Sequence, residues 1–129
     1  VPRGVSFGVV YCDITGLKKV NDTLGHQAGD QLILRASEVL REEFSEYGLF
    51  HIGGDELLAL CADIGEEELK QKVEHMKTDM KQKDVVMAVG TVWQEDWKLG
   101  LDILLTESES RMYEEKAAYY KNTGIDQRH

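Results

Sequence analysis

The chain is poor in proline, cysteine and positive charge, and it carries no long apolar run. Its one proline, Pro2, leaves no proline-rich linker, and neither an internal repeat nor a low-complexity tract interrupts the 129 residues. The two cysteines, Cys12 and Cys61, form no Cys-x-x-Cys pair and sit in no His-Cys cluster. A zinc site or disulfide is therefore not expected, and both read as reduced core thiols of a cytoplasmic protein. Fifteen Lys and Arg against 24 Asp and Glu give a formal charge of −9 and a pI near 4.9, the wrong sign for non-specific nucleic-acid binding. A nucleotide substrate stays open, because a divalent cation can bridge carboxylates to phosphates. No stretch reaches the ~18–20 apolar residues of a membrane span, and no signal-peptide pattern opens the chain, so no direct membrane contact is expected.

What is present is ordinary globular material, 42% hydrophobic and 30% charged, enough for one domain with a real core. Residues 1–129 are read as that single domain. Val1-Pro2-Arg3-Gly4 is either a tag remnant or native and takes no part in the fold reasoning. Val5–Tyr11 is short, apolar and β-branched, and predicts a buried strand. Asp13–Gly29 is polar and glycine-punctuated and predicts a loop with a short helix anchored by Leu17 and Val20. Asp30 can act as the N-cap of a helix carrying Leu32, Ala36, Val39, Leu40 and Phe44 at helical spacing, with Gly48 ending it. Leu49–Ile52 and Leu57–Cys61 flank a glycine pair and predict a tight hairpin. Glu66–Lys83 predicts an amphipathic helix with Leu69, Val73, Met76 and Met80 on one stripe. Val85–Trp93 predicts a strand, and Leu101 to Lys121 a last helix with Leu104, Leu105, Met112 and Tyr113 facing inward. This order suits a mostly antiparallel central sheet flanked by helices, an α/β (α+β) arrangement.

Carboxylates mark the candidate chemistry. Asp13 falls at the end of the first strand, and Asp55 and Glu56 fall on the hairpin turn, so the three can converge on one point. Gly53 and Gly54 remove side chains there and admit a close approach by phosphate or metal. Such oxygen ligands suit Mg²⁺ or Mn²⁺, and paired ions of this kind clamp the attacking and leaving oxygens of phosphoryl transfer. Taken alone, Gly53-Gly54-Asp55-Glu56 reads first as a solvated turn. No Gly-x-x-x-x-Gly-Lys occurs to support a P-loop enzyme, and no His-Glu-x-x-His to support a metalloprotease.

The run from Cys12-Asp13-Ile14 through Lys18, Asn21-Asp22, Gly25-His26 and Gly29-Asp30, followed by Gly53-Gly54-Asp55-Glu56-Leu57, is similar in residue type and spacing to the GGDEF family, the catalytic module of diguanylate cyclases. The similarity continues weakly through Val89-Gly90 to Met112-Tyr113 and Lys116. It implies a fold resembling the palm domain of nucleotidyl cyclases and polymerases. The implied reaction condenses two GTP into cyclic di-GMP with release of pyrophosphate, across a homodimer of half-sites in which each domain holds one GTP. By the resemblance, Asp13, the Ile14 carbonyl, Asp55 and Glu56 would hold Mg²⁺ or Mn²⁺, and Glu56 would help ionise the 3′-hydroxyl. Gly53 and Gly54 would lie along the phosphates, Lys18 and Lys116 would contact them, Leu17 would pack under the nucleotide, and Asn21 and Asp30 would read guanine. A carboxylate suits that last task, because it accepts from guanine N1–H and the amino group, an edge adenine lacks. An upstream sensor domain in a larger, membrane-bound or multidomain parent is implied as well.

Several positions depart from the pattern. Tyr119-Tyr120 follow Lys116 where the family often has Gly-Arg, whose arginine reaches the phosphates. Thr15 replaces a frequent aspartate, Gly16-Leu17 replace an aromatic pair, His51 stands where arginine is common, and Leu57 replaces phenylalanine. The product-inhibition motif Arg-x-x-Asp is absent from its window, which reads Phe44-Ser45-Glu46-Tyr47, so tight binding of cyclic di-GMP there is not expected. The family's leading Asp-x-Leu-Thr-Gly-Leu segment is also missing ahead of the first strand. These departures support a competing expectation, a degenerate domain that binds GTP or a protein partner without turnover.

Overall fold

The computed structural model describes residues 5–96 and 100–123. Four strands and four helices follow in the order β1 (Phe7–Ile14), α1 (Leu17–Leu24), α2 (His26–Phe44), β2 (Gly48–Ile52), β3 (Glu56–Ala62), α3 (Glu66–Gln82), β4 (Met87–Gln94) and α4 (Leu101–Thr123). The strands form one antiparallel sheet in the order β2-β3-β1-β4. The predicted antiparallel α+β architecture is what is observed.

Strands β1, β3 and β4 are covered on both faces while the edge strand β2 is mostly exposed, and the two-residue period of a strand sorts the side chains between the faces. Val10, Cys12, Ile14, Leu57, Ala59, Cys61, Met87 and Val89 point to a core filled by α2 and α3, with Leu32, Ala36, Val39, Phe44, Leu69, Val73, Met76 and Met80. Phe7, Val9, Tyr11, Leu58, Ala88 and Val92 point the other way, onto Leu104 and Met112 of α4. Both faces of β1 are thus covered, which is why it reads as a continuous apolar run. Cys12 and Cys61 are free, buried thiols, and burial pushes both up to about 12.

Gly90 sets the depth at which α4 rests on the sheet. A Cβ there would run into the backbone of Ser108 and Met112. The same helix closes the open edge of β4: Arg111 donates to the Thr91 carbonyl at 2.6 Å, and Glu115 accepts from the Val89 N–H at 3.0 Å. These two bonds satisfy part of the edge that another chain would otherwise pair with.

Three local expectations are corrected. Asp30 is not an N-cap. The helix begins at His26 with Gly25 before it (φ 94°), so Asp30 lies exposed inside α2. Gly25 serves as both the end of α1 and the start of α2, a sharp turn that the polar stretch concealed. Gly48 does not end a helix. The turn is made by Ser45–Tyr47, where Tyr47 N–H donates to the Phe44 carbonyl at 3.0 Å, and Gly48 opens β2. Tyr113 does not face inward: it is 49% exposed, and the buried stripe of α4 is Leu104, Ser108, Met112 and Tyr120. Spacing of four along that stripe returns each side chain to the sheet, and Tyr113 is one residue out of phase.

Candidate active site

The site forms where β1 and the β2–β3 hairpin end on the α4 side of the sheet. Asp13 is paired directly with Glu56 across β1 and β3. Two carboxylates opposite each other on one face repel, so the arrangement costs the fold stability. The hairpin adds Asp55. Its carbonyl accepts from Ile14 N–H at 2.7 Å, which pins the turn to the strand end, and Gly53 supplies the left-handed residue the turn requires (φ 78°). One oxygen each of Asp13, Asp55 and Glu56 can lie within 4.8 Å of the others.

Asp13 is 2% exposed and only partly compensated. Lys116 Nζ, from α4, is 3.5 Å from Asp13 Oδ2, while Asp13 Oδ1 is buried without a hydrogen-bond partner. Burial, and then the negative charge of Asp55, raise the Asp13 carboxyl from its ordinary 3.8 to about 6, and Lys116 offsets part of this. A buried acceptor without a donor, beside two more carboxylates, is a donor set suited to a hard divalent cation.

A cavity of about 510 Å³ opens beside the cluster. Asp13, Ile14, Leu17, Lys18, Asp55 and Lys116 line it, together with Thr15, Gly16, Asp22, Val86, Tyr119 and Tyr120. Its volume is that of a small-molecule site. Glu56 belongs to the carboxylate cluster but not to the cavity wall. Gly53 and Gly54 are exposed on the hairpin tip, also off the wall. Asn21 and Asp30 do not line the cavity either. They sit on the adjoining pair α1 and α2, where the Asn21 amide rests over Gly29, next to Asp30, so closely that a Cβ at Gly29 would overlap it.

Two participants escaped sequence reasoning. Tyr11 places its hydroxyl 3.1 Å from Glu56 Oε1 and 3.2 Å from Glu109 Oε2. Burial, then the Glu56 hydrogen bond, raise that phenol above its ordinary range, so it is a protonated donor. The available signal was strand alternation, since Tyr11 stands two residues before Asp13 and shares its face. Glu109 had no comparable signal, because only the packing of α4 brings it there.

A family model described as "Diguanylate cyclase, GGDEF domain" matches residues 2–122. Diguanylate cyclase DosC of Escherichia coli K12 is 28% identical over 102 residues, which are 78% of this chain and 21% of DosC. The cyclic di-GMP phosphodiesterase PdeR of the same organism is 36% identical over 75 residues, 57% of this chain and 11% of PdeR. The GGDEF domain of DgcB from Caulobacter crescentus, solved in complex with c-di-GMP, superposes with a TM-score of 0.81 at 17% identity, covering 89% of this chain and 74% of that one. The chain thus spans about a fifth of the length of DosC.

Proposed function

Since this chain belongs to the GGDEF family, we propose that it is a diguanylate cyclase domain that condenses two GTP into cyclic di-GMP and pyrophosphate, one GTP held by each of two facing copies. The observation that carries the reading is the Asp13–Asp55–Glu56 cluster with its unpartnered buried oxygen, set at the mouth of a cavity that also presents Lys18 and Lys116. Selection for stability alone would not keep three carboxylates in repulsion.

In this reading Asp13, Asp55, Glu56 and the Ile14 carbonyl hold Mg²⁺ or Mn²⁺, which when bound neutralises phosphate charge and favours the ionised 3′-hydroxyl. Lys18 and Lys116 take the β- and γ-phosphates as point cations. Lys116, now 3.5 Å from Asp13 Oδ2, would be free to turn to the phosphates once a cation balanced the Asp13 charge. Gly53 and Gly54 present bare backbone to the phosphates. Leu17 forms the apolar floor, and Asn21 and Asp30 read the guanine edge where it emerges over α1 and α2. The reacting α-phosphate is met by the 3′-hydroxyl of the nucleotide on the facing copy, so a single domain is half a site. An upstream sensor domain that brings two copies together, with the domain in the cytoplasm, completes the proposal.

A second reading rests on one observation. Tyr119 and Tyr120 line the cavity, stacked edge-on with centroids 5.7 Å apart, and the cations on its wall are Lys18, Lys19 and Lys116. With no guanidinium among the described residues of that wall, a bidentate phosphate contact of about 1.5–3 kcal/mol is missing there. That favours a degenerate domain that binds GTP as a regulatory module without turnover.

The deciding experiment is to incubate a forced dimer of the domain with GTP and Mg²⁺ or Mn²⁺ and to separate the products by chromatography. Cyclic di-GMP from the parent and none from Glu56→Gln is expected. Product from both, or from neither, refutes the cyclase reading, and GTP binding without product selects the second.

A further inference from the structure

Glu56 is a long, flexible side chain at the first position of β3, and a carboxylate there could swing clear of the cluster. Among the described residues, the Tyr11 hydroxyl is what holds it. Tyr11 and Asp13 share a face of β1, and Glu56 is the residue opposite Asp13, hence diagonal to Tyr11. A ring on that diagonal reaches its neighbour's carboxylate. The Tyr11 side chain is buried, so its hydroxyl emerges in a fixed place.

The hydroxyl lies 3.1 Å from Glu56 Oε1 and 3.2 Å from Glu109 Oε2. A phenol has one proton and can donate to one of these acceptors at a time. The second carboxylate comes from α4, which Gly90 admits at close range directly opposite Tyr11 on β4. The fold has therefore placed a single donor between a carboxylate of the cluster and a carboxylate outside it.

We infer that Tyr11 is a positioning residue of the metal cluster: its hydroxyl aims Glu56 at Asp13 and Asp55, and Glu109 is the alternative acceptor that draws the proton when Glu56 gives its charge to a cation. This rests on the cluster being the metal site proposed above. A carboxylate already held by a second partner binds a cation without first losing its rotamer freedom, and removing such outer partners commonly costs about 10–100-fold in metal affinity.

The test is calorimetric titration of Mn²⁺ into the 129-residue chain, its Tyr11→Phe and Glu109→Gln variants, and Glu56→Gln as the reference for a lost ligand. Tyr11→Phe keeps the buried ring and is expected to bind Mn²⁺ about tenfold more weakly. In a forced dimer its lost turnover returns as Mn²⁺ is raised, which a merely misfolded site would not do. Glu109→Gln leaves β1 untouched and keeps an amide oxygen that accepts from the phenol more weakly than a carboxylate, so Mn²⁺ affinity is expected to fall, but by less than in Glu56→Gln. It reads the same geometry where Tyr11→Phe fails to fold. Unchanged Mn²⁺ affinity in Tyr11→Phe overturns the assignment. So does a loss in Glu109→Gln as large as that in Glu56→Gln, which traces the effect to the seam between β1 and α4 instead of to the shared hydroxyl. Mn²⁺ binding without any cyclic di-GMP from the parent refutes the cyclase reading and leaves the positioning role to be judged by the titrations.

Discussion

Asp13→Asn should stabilise this domain in the absence of metal, and the gain should grow with pH. Folded Asp13 binds its proton more tightly than the unfolded chain, with its carboxyl raised from 3.8 to about 6 by burial and by Asp55. Between those values the folded state carries more proton than the unfolded one, so stability falls as pH rises through the window, and the loss is complete above it. At about 1.4 kcal/mol per tenfold in proton affinity, the ionised group costs about 1.5 kcal/mol near pH 5 and about 3 kcal/mol near pH 7.5. The attraction of Lys116 at 3.5 Å already opposes that rise and does not cancel it. Asparagine has nearly the same shape and no charge to lose, and Lys116 retains solvent access. Urea melts in EDTA at the two pH values measure the difference, expected to be larger at the higher pH. Adding Mn²⁺ should then stabilise the parent and leave Asp13→Asn unmoved. A variant less stable than the parent at both pH values, or a gain independent of pH, would refute the claim that the site holds a buried, only partly compensated charge.

Gly90→Ala should cost about 2–3 kcal/mol or more in a urea melt, because the new Cβ meets the backbone of Ser108 and Met112, which cannot rotate aside. Gly29→Ala should separate stability from binding. The atom in its way is the end of the flexible Asn21 side chain, and alanine gains up to about 1 kcal/mol inside a helix, so the melt should hold or improve while affinity for a fluorescent GTP analogue falls. Cyclic di-GMP should not bind at the surface around Phe44-Ser45-Glu46-Tyr47. Submicromolar calorimetric binding that is lost on changing Glu46 and Tyr47 would contradict this.

Much of the fold was legible because strands and amphipathic helices announce themselves by period. The stripe of Leu69, Val73, Met76 and Met80 predicted α3, and the glycine pair between two apolar stretches predicted the hairpin. The misreadings fell where local signals compete. Asp30 is a good capping residue, yet the turn was made one segment earlier by Gly25, whose positive φ leaves no mark in a periodicity. Tyr113 lay next to a true core position, Met112, and a helix turns by about 100° per residue, enough to carry a neighbour from core to solvent.

The sequence by itself determined which chemical groups are available and along which elements they are strung. Asp13 follows an apolar strand, Asp55 and Glu56 follow a glycine pair, and Lys18 and Lys116 sit on helices. Register and depth were decided only by the tertiary structure. Pairing Asp13 with Glu56, burying one oxygen of Asp13 without a partner, and seating α4 at Gly90 so that Lys116 meets Asp13 and Glu109 meets Tyr11 all depend on contacts between residues far apart in the chain. Local propensity carries no record of those distances. They follow from packing two helical layers against one sheet, where a missing Cβ or a shift of one residue in register would move every charge in the site.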